Sequence, residues 1–443
     1  MYERVASALG ERPEGIAHSE MRERQRHFCA GMKTDSVAII TNNPVGIRSA
    51  DVHHRHRFNS YLHYLTGWHG KDGVAVFHHN SGWKCRLFVR PRDIKMETWN
   101  GRRPGVDGAL AGWPVDETES RENIKDNLEE LLDGASNVYH VHGLDAEVDE
   151  IVELALHDES LNPRELLDEM RVIKSGGEIA LMQYSADLAA FAHVEAMREC
   201  ASGMGEWHMQ SIIEGCFLFH QSQWAYPSIV GSGDNATILH YGDNNDVMND
   251  GDLVLIDAGC EIDGYASDIT RTFPVNGKFS EAQRSIYELV LEAQLAGIEA
   301  CQVGSPWSAM HHATSRVLAS GLIELGILDC SLEEALGEDF DGTYREYFMH
   351  GTGHFLGLDV HDVGGGRQGD DGPERVLAPG MVLTVEPGLY FGAWRDDVEI
   401  DPKWAGIGVR IEDNVLITED GPVVLTAKCP KQITEIEALV GPN

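Results

Sequence analysis

The sequence predicts an α/β domain followed by a larger α+β domain, and three observations lead there. The chain has 443 residues, longer than one usual domain. Its first part alternates apolar, strand-like runs with helical spacing. Its second part runs helices, strands, helices, strands, as two similar halves packed face to face would. The expected division is 1–171 and 172–443.

The elements follow from local patterns. In the first part, SVAII (36–40), GVAVF (73–77), CRLFV (85–89) and NVYHVHG (137–143) read as strands. ESRENIKDNLEELLDG (119–134) has helical spacing and a stop signal at Gly134. The segment 157–175 reads as a connector leading into a helix. In the second part, 177–200 and 206–221 read as helices, 226–275 as strands and turns, and 280–302 and 306–326 as helices again. The remainder returns to strands rich in Gly and Pro.

Composition excludes several function classes. Asp plus Glu number 72 against 35 Lys plus Arg, a net charge of −37. So acidic a surface repels phosphate backbones and anionic lipid, so neither nucleic acid nor membrane is an expected partner. No run has the length of a membrane helix, and the opening residues lack the apolar core of a signal peptide. The eight cysteines are scattered without a CxxC, as in a reduced, cytoplasmic enzyme.

Two carboxylates stand where a soluble protein rarely puts them. In LVLIDAGCEIDGYASDITRTF (253–273), Asp257 ends an apolar run and Asp268 sits among small and apolar neighbours. Asp263-Gly264 is a hairpin dipeptide. A turn there pairs Ile262 with Tyr265, Gly259 with Asp268 and Asp257 with Thr270, so Asp257 and Asp268 share a face. Two such acids repel unless a cation lies between them. Further along, GMVLTVEPGLY (380–390) places Glu386 on the face of Thr384, and GVRIEDNVLI (408–417) places Arg410 and Glu412 together. The run FMHGTGHFLGLDVHD (348–362) packs His350, His354 and His361 among glycines that argue against a plain helix. His240 ends ATILHY on an expected strand.

In order, Asp257, Asp268, His354, Glu386 and Glu412 resemble the five-ligand dinuclear site of the pita-bread metallopeptidases. The strings ILHY, DGDLVLIDAGCEIDGYASDITRTFPVNGKFS, FMHGTGHFLGLDVHDVG, LAPGMVLTVEPGLY and GIGVRIEDNVLIT are similar to those of the Xaa-Pro aminopeptidases (aminopeptidase P). The likeness covers 172–435, and extends through RSAD (48–51), YLTGW (64–68) and ETWNGRR (97–103). It implies a pita-bread catalytic domain with pseudo-twofold halves. It also implies two divalent ions, Mn²⁺ foremost, with Co²⁺ or Zn²⁺ compatible with the same donors. Asp257 would hold one ion, His354 and Glu386 the other, and Asp268 with Glu412 would bridge them. A hydroxide shared by the ions would attack the Xaa-Pro carbonyl of a peptide with proline second, releasing the first residue.

The same resemblance assigns further roles. Glu386 would carry the proton from water to the leaving nitrogen. His240 and His361 would bind substrate or stabilise the tetrahedral intermediate. His350, Tyr390 and Arg410 would line the proline pocket, and Arg410 would also hold Asp257. Trp99 matches the family's aromatic on a loop that helps close a neighbour's site, while Asp51 and Arg164 match an acid and a base near the amine end of the cleft. The first domain would drive homo-oligomerisation, to a dimer or tetramer. The stretch 101–115 departs from the family pattern in detail. A prolidase confined to Xaa-Pro dipeptides, with organophosphate hydrolysis as a side activity, is the nearest alternative. A metal-free binding pseudoenzyme and a creatinase-type hydrolase are disfavoured, because all five ligands are present.

Overall fold

The computed structural model describes residues 2–79, 81–156, 159–369 and 372–441. By internal contacts the chain forms two units, Ile16–Met170 and Arg171–Asn443, the second including Met1–Gly15. The opening residues therefore group with the carboxy-terminal unit and not with 1–171 as expected. Ion pairs account for this. Arg4 donates from Nε to Glu195 at 3.0 Å, and Arg12 from Nη2 to Asp263 at 2.8 Å.

The amino-terminal unit is built on one five-stranded sheet. Its strands are β1 (Ser36–Thr41), β2 (Val74–His79), β3 (Trp83–Val89), β4 (Glu117–Ser120) and β5 (Asn137–His140), in the order β4-β3-β2-β1-β5. β1 runs antiparallel to β2 and parallel to β5. Helix α1 (His18–Gly31) packs on one face, where Phe28 meets Phe77 edge-on at 5.4 Å. Helices α2 (Ile124–Leu132) and α3 (Ala146–Ala155) cover the other. Ile124, Leu128 and Leu132 recur at helical spacing and join Val37, Ile39, Val74 and Val76 in one core. β4 was not expected as a strand. Its ETES sequence has no apolar residue, because it forms a half-buried sheet edge. β5 stops at His140 and does not run on to Gly143.

The carboxy-terminal unit repeats one motif, a helix pair followed by an antiparallel sheet. The first half has α4 (Gly176–Glu199), α5 (Glu206–Phe219) and strands β6 (Ile229–Ser232), β7 (Leu253–Asp257), β8 (Cys260–Ile262), β9 (Tyr265–Ala266) and β10 (Thr270–Pro274). The second has α6 (Glu281–Ala300), α7 (Ser308–Glu324) and strands β11 (Val382–Val385), β12 (Gly388–Phe391), β13 (Ile407–Arg410), β14 (Asp413–Thr418) and β15 (Gly421–Val424). α4 and α6 begin at capping boxes, Ser175/Glu178 and Ser280/Gln283, which satisfy backbone N–H groups at each start. Two three-stranded sheets are β10-β7-β6 and β11-β14-β15, and a third joins β9 and β8 to the short strand Gln223–Trp224.

The halves are tied together by Arg271, fully buried, which donates from Nη2 to Asp413 at 2.7 Å and to the Cys429 carbonyl at 2.8 Å. This buried cation does not lack partners, so its burial costs little compared with an isolated charge. Among the described residues no helix is long and apolar enough to cross a membrane. All eight cysteines are free thiols.

Candidate active site and metal centre

The hairpin register is the one the turn chemistry implies. Ile262 pairs with Tyr265 and Asp257 with Thr270. Asp263 (φ 51°) and Gly264 (φ 85°) make the turn, both in the left-handed region that such a turn requires. Asp257 thus closes β7, and Asp268 lies just ahead of β10, both facing one cavity. Tyr226 joins them. Its hydroxyl donates to Asp257 Oδ1 at 2.6 Å and makes a short hydrogen bond with Asp268 Oδ1.

The histidine run comes in as a loop laid along β11. The His354 N–H donates to Thr384 Oγ1 at 3.0 Å, and the Thr384 N–H to the His354 carbonyl at 2.9 Å. Gly353 allows this approach, since a Cβ there would stand 1.9 Å from the Thr384 carbonyl oxygen. The ring of His354 donates from Nδ1 to the Phe355 carbonyl at 2.8 Å. Nε2 is thereby turned to the acids, 3.4 Å from Asp268 Oδ2 and 3.5 Å from Glu386 Oε1. A backbone carbonyl behind the ring and carboxylates before it is the usual setting of a metal-bound histidine.

The other acids arrive from the second half. Glu386 follows β11 and accepts from Thr384 Oγ1 at 3.0 Å, on the expected shared face. Glu412, between β13 and β14, accepts from Thr270 Oγ1 at 2.7 Å. Donor atoms of Asp268, His354 and Glu412 all lie within 4.8 Å of one another, close enough to hold one ion. Arg410 spans the same space. It donates from Nη2 to Asp257 Oδ2 at 2.7 Å, from Nε to Thr270 Oγ1 at 3.0 Å and from Nη1 to Tyr390 at 3.1 Å. Tyr390 in turn donates to His350 Nε2 at 2.7 Å, while His350 Nδ1 donates to the Gly351 carbonyl at 2.8 Å.

The electrostatics are those of a site short of positive charge. Burial raises the Asp257 carboxyl, and Asp268 adds to it. Burial, with repulsion from Asp268, lifts Glu386 to about 7 and Glu412 well above the carboxylate range. Burial also works against an ionised Asp268, but hydrogen bonds from His354 and Tyr226 outweigh it and hold that acid low. His354 is disfavoured as a cation by burial, yet Asp268 and Glu386 hold it up at about 9. Burial and Arg410 push His350 down to about 3, keeping it neutral. Four carboxylates against one arginine form a donor set suited to divalent cations.

The cavity holds about 510 Å³ and is lined by all five expected ligands together with His240, His350, His361 and Arg410. Tyr390 stands behind, fully buried, reaching it through His350. His361 packs edge-on against His354, ring centres 4.4 Å apart. His240 is not on a strand as expected. It follows a 3-10 helix, Gly233–Thr237, in a turn. Thr237 Oγ1 donates to the Asp234 carbonyl at 2.6 Å, which competes with strand pairing, while the Asn235 side chain reaches Glu206 and Asp246 and Asp234 accepts from the Ala393 N–H. Trp99 lies on a short helix, Ile94–Asn100, and is 84% exposed. Asp51 is in an exposed turn, and Arg164 opens the helix Arg164–Val172, with its guanidinium over the Tyr61 ring at 5.8 Å. These three belong to the amino-terminal unit. Sequence reasoning missed Tyr226, Thr270 and Thr384. Tyr226 lies 31 residues before Asp257, and only folding reveals the pairing.

The fold and this site define a metallopeptidase, and the chain belongs to metallopeptidase family M24, whose model matches residues 180–419. That of the aminopeptidase P amino-terminal domain matches residues 21–139. The carboxy-terminal unit is accordingly a pita-bread domain. The chain is 42% identical to the Xaa-Pro aminopeptidase of Escherichia coli, over 96% of this chain and 98% of that protein. It is 33% identical to human Xaa-Pro aminopeptidase 3, over 95% and 84%. Among solved structures, aminopeptidase PepP of Pseudomonas aeruginosa superposes with a TM-score of 0.91 at 41% identity, covering 96% of this chain and 98% of that one. E. coli aminopeptidase P in complex with substrate gives 0.90 at 41%, with the same coverage.

Proposed function

We propose that this chain is a metal-dependent Xaa-Pro aminopeptidase, removing the first residue from peptides with proline second. The observation that carries the reading is the convergence of Asp257, Asp268, His354, Glu386 and Glu412 on one cavity, with His354 Nε2 turned to the acids. The near full-length likeness to Xaa-Pro aminopeptidases supports it over a prolidase. These five side chains would hold two divalent ions, with Mn²⁺ our choice for an oxygen-rich set with one imidazole. Bound there, the ions would polarise the peptide carbonyl and lower the pKa of water.

The remaining work falls to the protein's own groups. Glu386, at the cavity wall beside His354, would take a proton from water and pass it to the leaving nitrogen. His240 and His361, at the cavity wall, would donate to the oxygens of the tetrahedral centre. His350, Tyr390 and Arg410 form one hydrogen-bonded chain that would shape the proline pocket. Proline's nitrogen carries no hydrogen in the peptide, so the pocket must read ring and carbonyl.

The amino-terminal unit, about 1–171 in the sequence division, would supply Asp51 and Arg164 to the substrate's amine end and Trp99 to a neighbouring subunit's site. Exposed Ile94, Met96 and Trp99 on one short helix support a contact between copies, and hence a homo-oligomer. Eight free cysteines suit the cytoplasm.

The test is cleavage of a Xaa-Pro-Xaa tripeptide by the Mn²⁺-loaded chain, with Asp268→Ala and Glu412→Ala as controls. Release of the first residue by wild type and loss of turnover in both variants is the expected result. Cleavage of the Xaa-Pro dipeptide alone would make the chain a prolidase. Full turnover in either variant at equal metal content would remove the assigned ligand roles.

A further inference from the structure

We propose that the amino-terminal unit carries a second metal site, for a single transition ion of the Zn²⁺ class, held by His140, His142 and Asp149. His140 ends β5, and His142 follows two residues on in a turn that lays its ring against that of His140. Asp149 lies on α3, the next helix, and Glu153 is one turn further along the same helical face. His140 Nε2 is 2.7 Å from Asp149 Oδ1, and His142 Nδ1 is 3.6 Å from that oxygen and 3.8 Å from Glu153 Oε1. Donor atoms of the two histidines and Asp149 all fall within 4.8 Å of one another. Ligands around a tetrahedral zinc ion stand about 3.3 Å apart, so small side-chain adjustments close the set.

The surroundings suit a ligand set better than a lone ion pair. The side chain of His140 is fully buried, and its Nδ1 faces the Ile39 carbonyl at 3.4 Å. With the hydrogen on Nδ1, Nε2 presents a lone pair to the carboxylate, which calls for a proton or a cation between them. The carbonyl behind the ring is the outer contact that metal-bound histidines usually have. Asp149 is itself oriented by the Gly143 N–H, 2.9 Å from Oδ2. An imidazolium–carboxylate pair accounts for His140 and Asp149 but gives no role to His142, whose ring packs edge-on against His140 at 4.8 Å. The side chain of His142 is 41% exposed, which gives an ion a way in. Two imidazoles and one carboxylate, with Glu153 within reach as a fourth donor, select Zn²⁺ or Co²⁺ over Mg²⁺ or Ca²⁺.

The test compares zinc bound by the full-length wild-type chain and by His142→Gln. Both are stripped of metal, loaded with Zn²⁺, freed of excess and measured by elemental analysis. The substitution removes a half-exposed donor and leaves the His140–Asp149 pair in place, so the unfolding temperature should match wild type. The variant is expected to hold one zinc per chain fewer and, loaded with Mn²⁺, to cleave the tripeptide as wild type does. Equal zinc contents overturn the proposal. The difference cancels zinc held in the carboxylate-rich cavity, so the result does not depend on the peptidase reading. A second measurement needs no variant: diethyl pyrocarbonate labelling of His142 in wild type, mapped by mass spectrometry, should be blocked by Zn²⁺. Labelling unchanged by Zn²⁺ likewise overturns it.

Discussion

Arg410 donates from Nη2 to Asp257 Oδ2 at 2.7 Å, joining the end of β13 in one half of the catalytic unit to the end of β7 in the other. The same guanidinium also reaches Thr270 and Tyr390. A lysine has one compact ammonium and cannot make three divergent contacts. Arg410→Lys is therefore expected to lower kcat/KM on a Xaa-Pro-Xaa tripeptide by about tenfold or more, and Arg410→Ala further. Wild-type kinetics in Arg410→Lys would show that only the charge matters.

Glu386 places a carboxylate oxygen 3.5 Å from His354 Nε2, at the wall of the cavity. Glu386→Gln keeps its shape and removes its basicity. We expect a folded chain by circular dichroism and a fall in kcat of about a hundredfold to ten-thousandfold. A loss smaller than tenfold at equal metal content would take the proton-carrying role away from this residue.

Tyr226 bridges Asp257 and Asp268 through one hydroxyl. Tyr226→Phe leaves the ring and removes the hydroxyl that ties the Oδ1 atoms of both acids together. The expected result is a tenfold to hundredfold weaker Mn²⁺ affinity, about the cost of removing a group that orients ligands. Calorimetric titration of the metal-free chain measures it, and unchanged affinity would make the hydroxyl dispensable.

His311 gives a pH dependence of stability with a definite sign. Burial, with Arg345 adding to it, pushes the ring down to about 4, and its Nδ1 faces Thr352 Oγ1 at 2.9 Å. In an unfolded chain the ring titrates near its usual value of about 6.5. Between those values the unfolded state binds more protons, so this ring's share of stability is present above about 6.5 and lost as pH falls toward 4. The unfolding temperature of wild type should fall more steeply over that window than that of His311→Gln. Parallel curves would exclude the contribution. Both proteins carry the same buried acids, so only the difference between the curves is read.

Much of the site was legible because strand geometry is local. The Asp263-Gly264 dipeptide fixes the hairpin, and its register alone carries Asp257 and Asp268 to one face. The alternation of β11 likewise puts Glu386 beside Thr384. Glycines around His354 marked a loop, and the loop is there. His240 shows where local reading fails. The run ATILHY suggested a strand, but Thr237 bonds the Asp234 carbonyl in a 3-10 helix and Asn235 is drawn to Glu206 and Asp246, outside that run. The strand Glu117–Ser120 failed for the opposite reason, since a sheet edge needs no apolar face.

Residue order alone determined which side chains share a strand face, where the turns fall and which acids sit in apolar runs, because all three depend on neighbours a few positions apart. Tertiary structure decided which faces meet. It brought Tyr226 to Asp257, Arg410 across to the opposite half, and the first fifteen residues to the carboxy-terminal unit. Those contacts join positions far apart in the chain, and they form because buried charges must find partners wherever the fold supplies them.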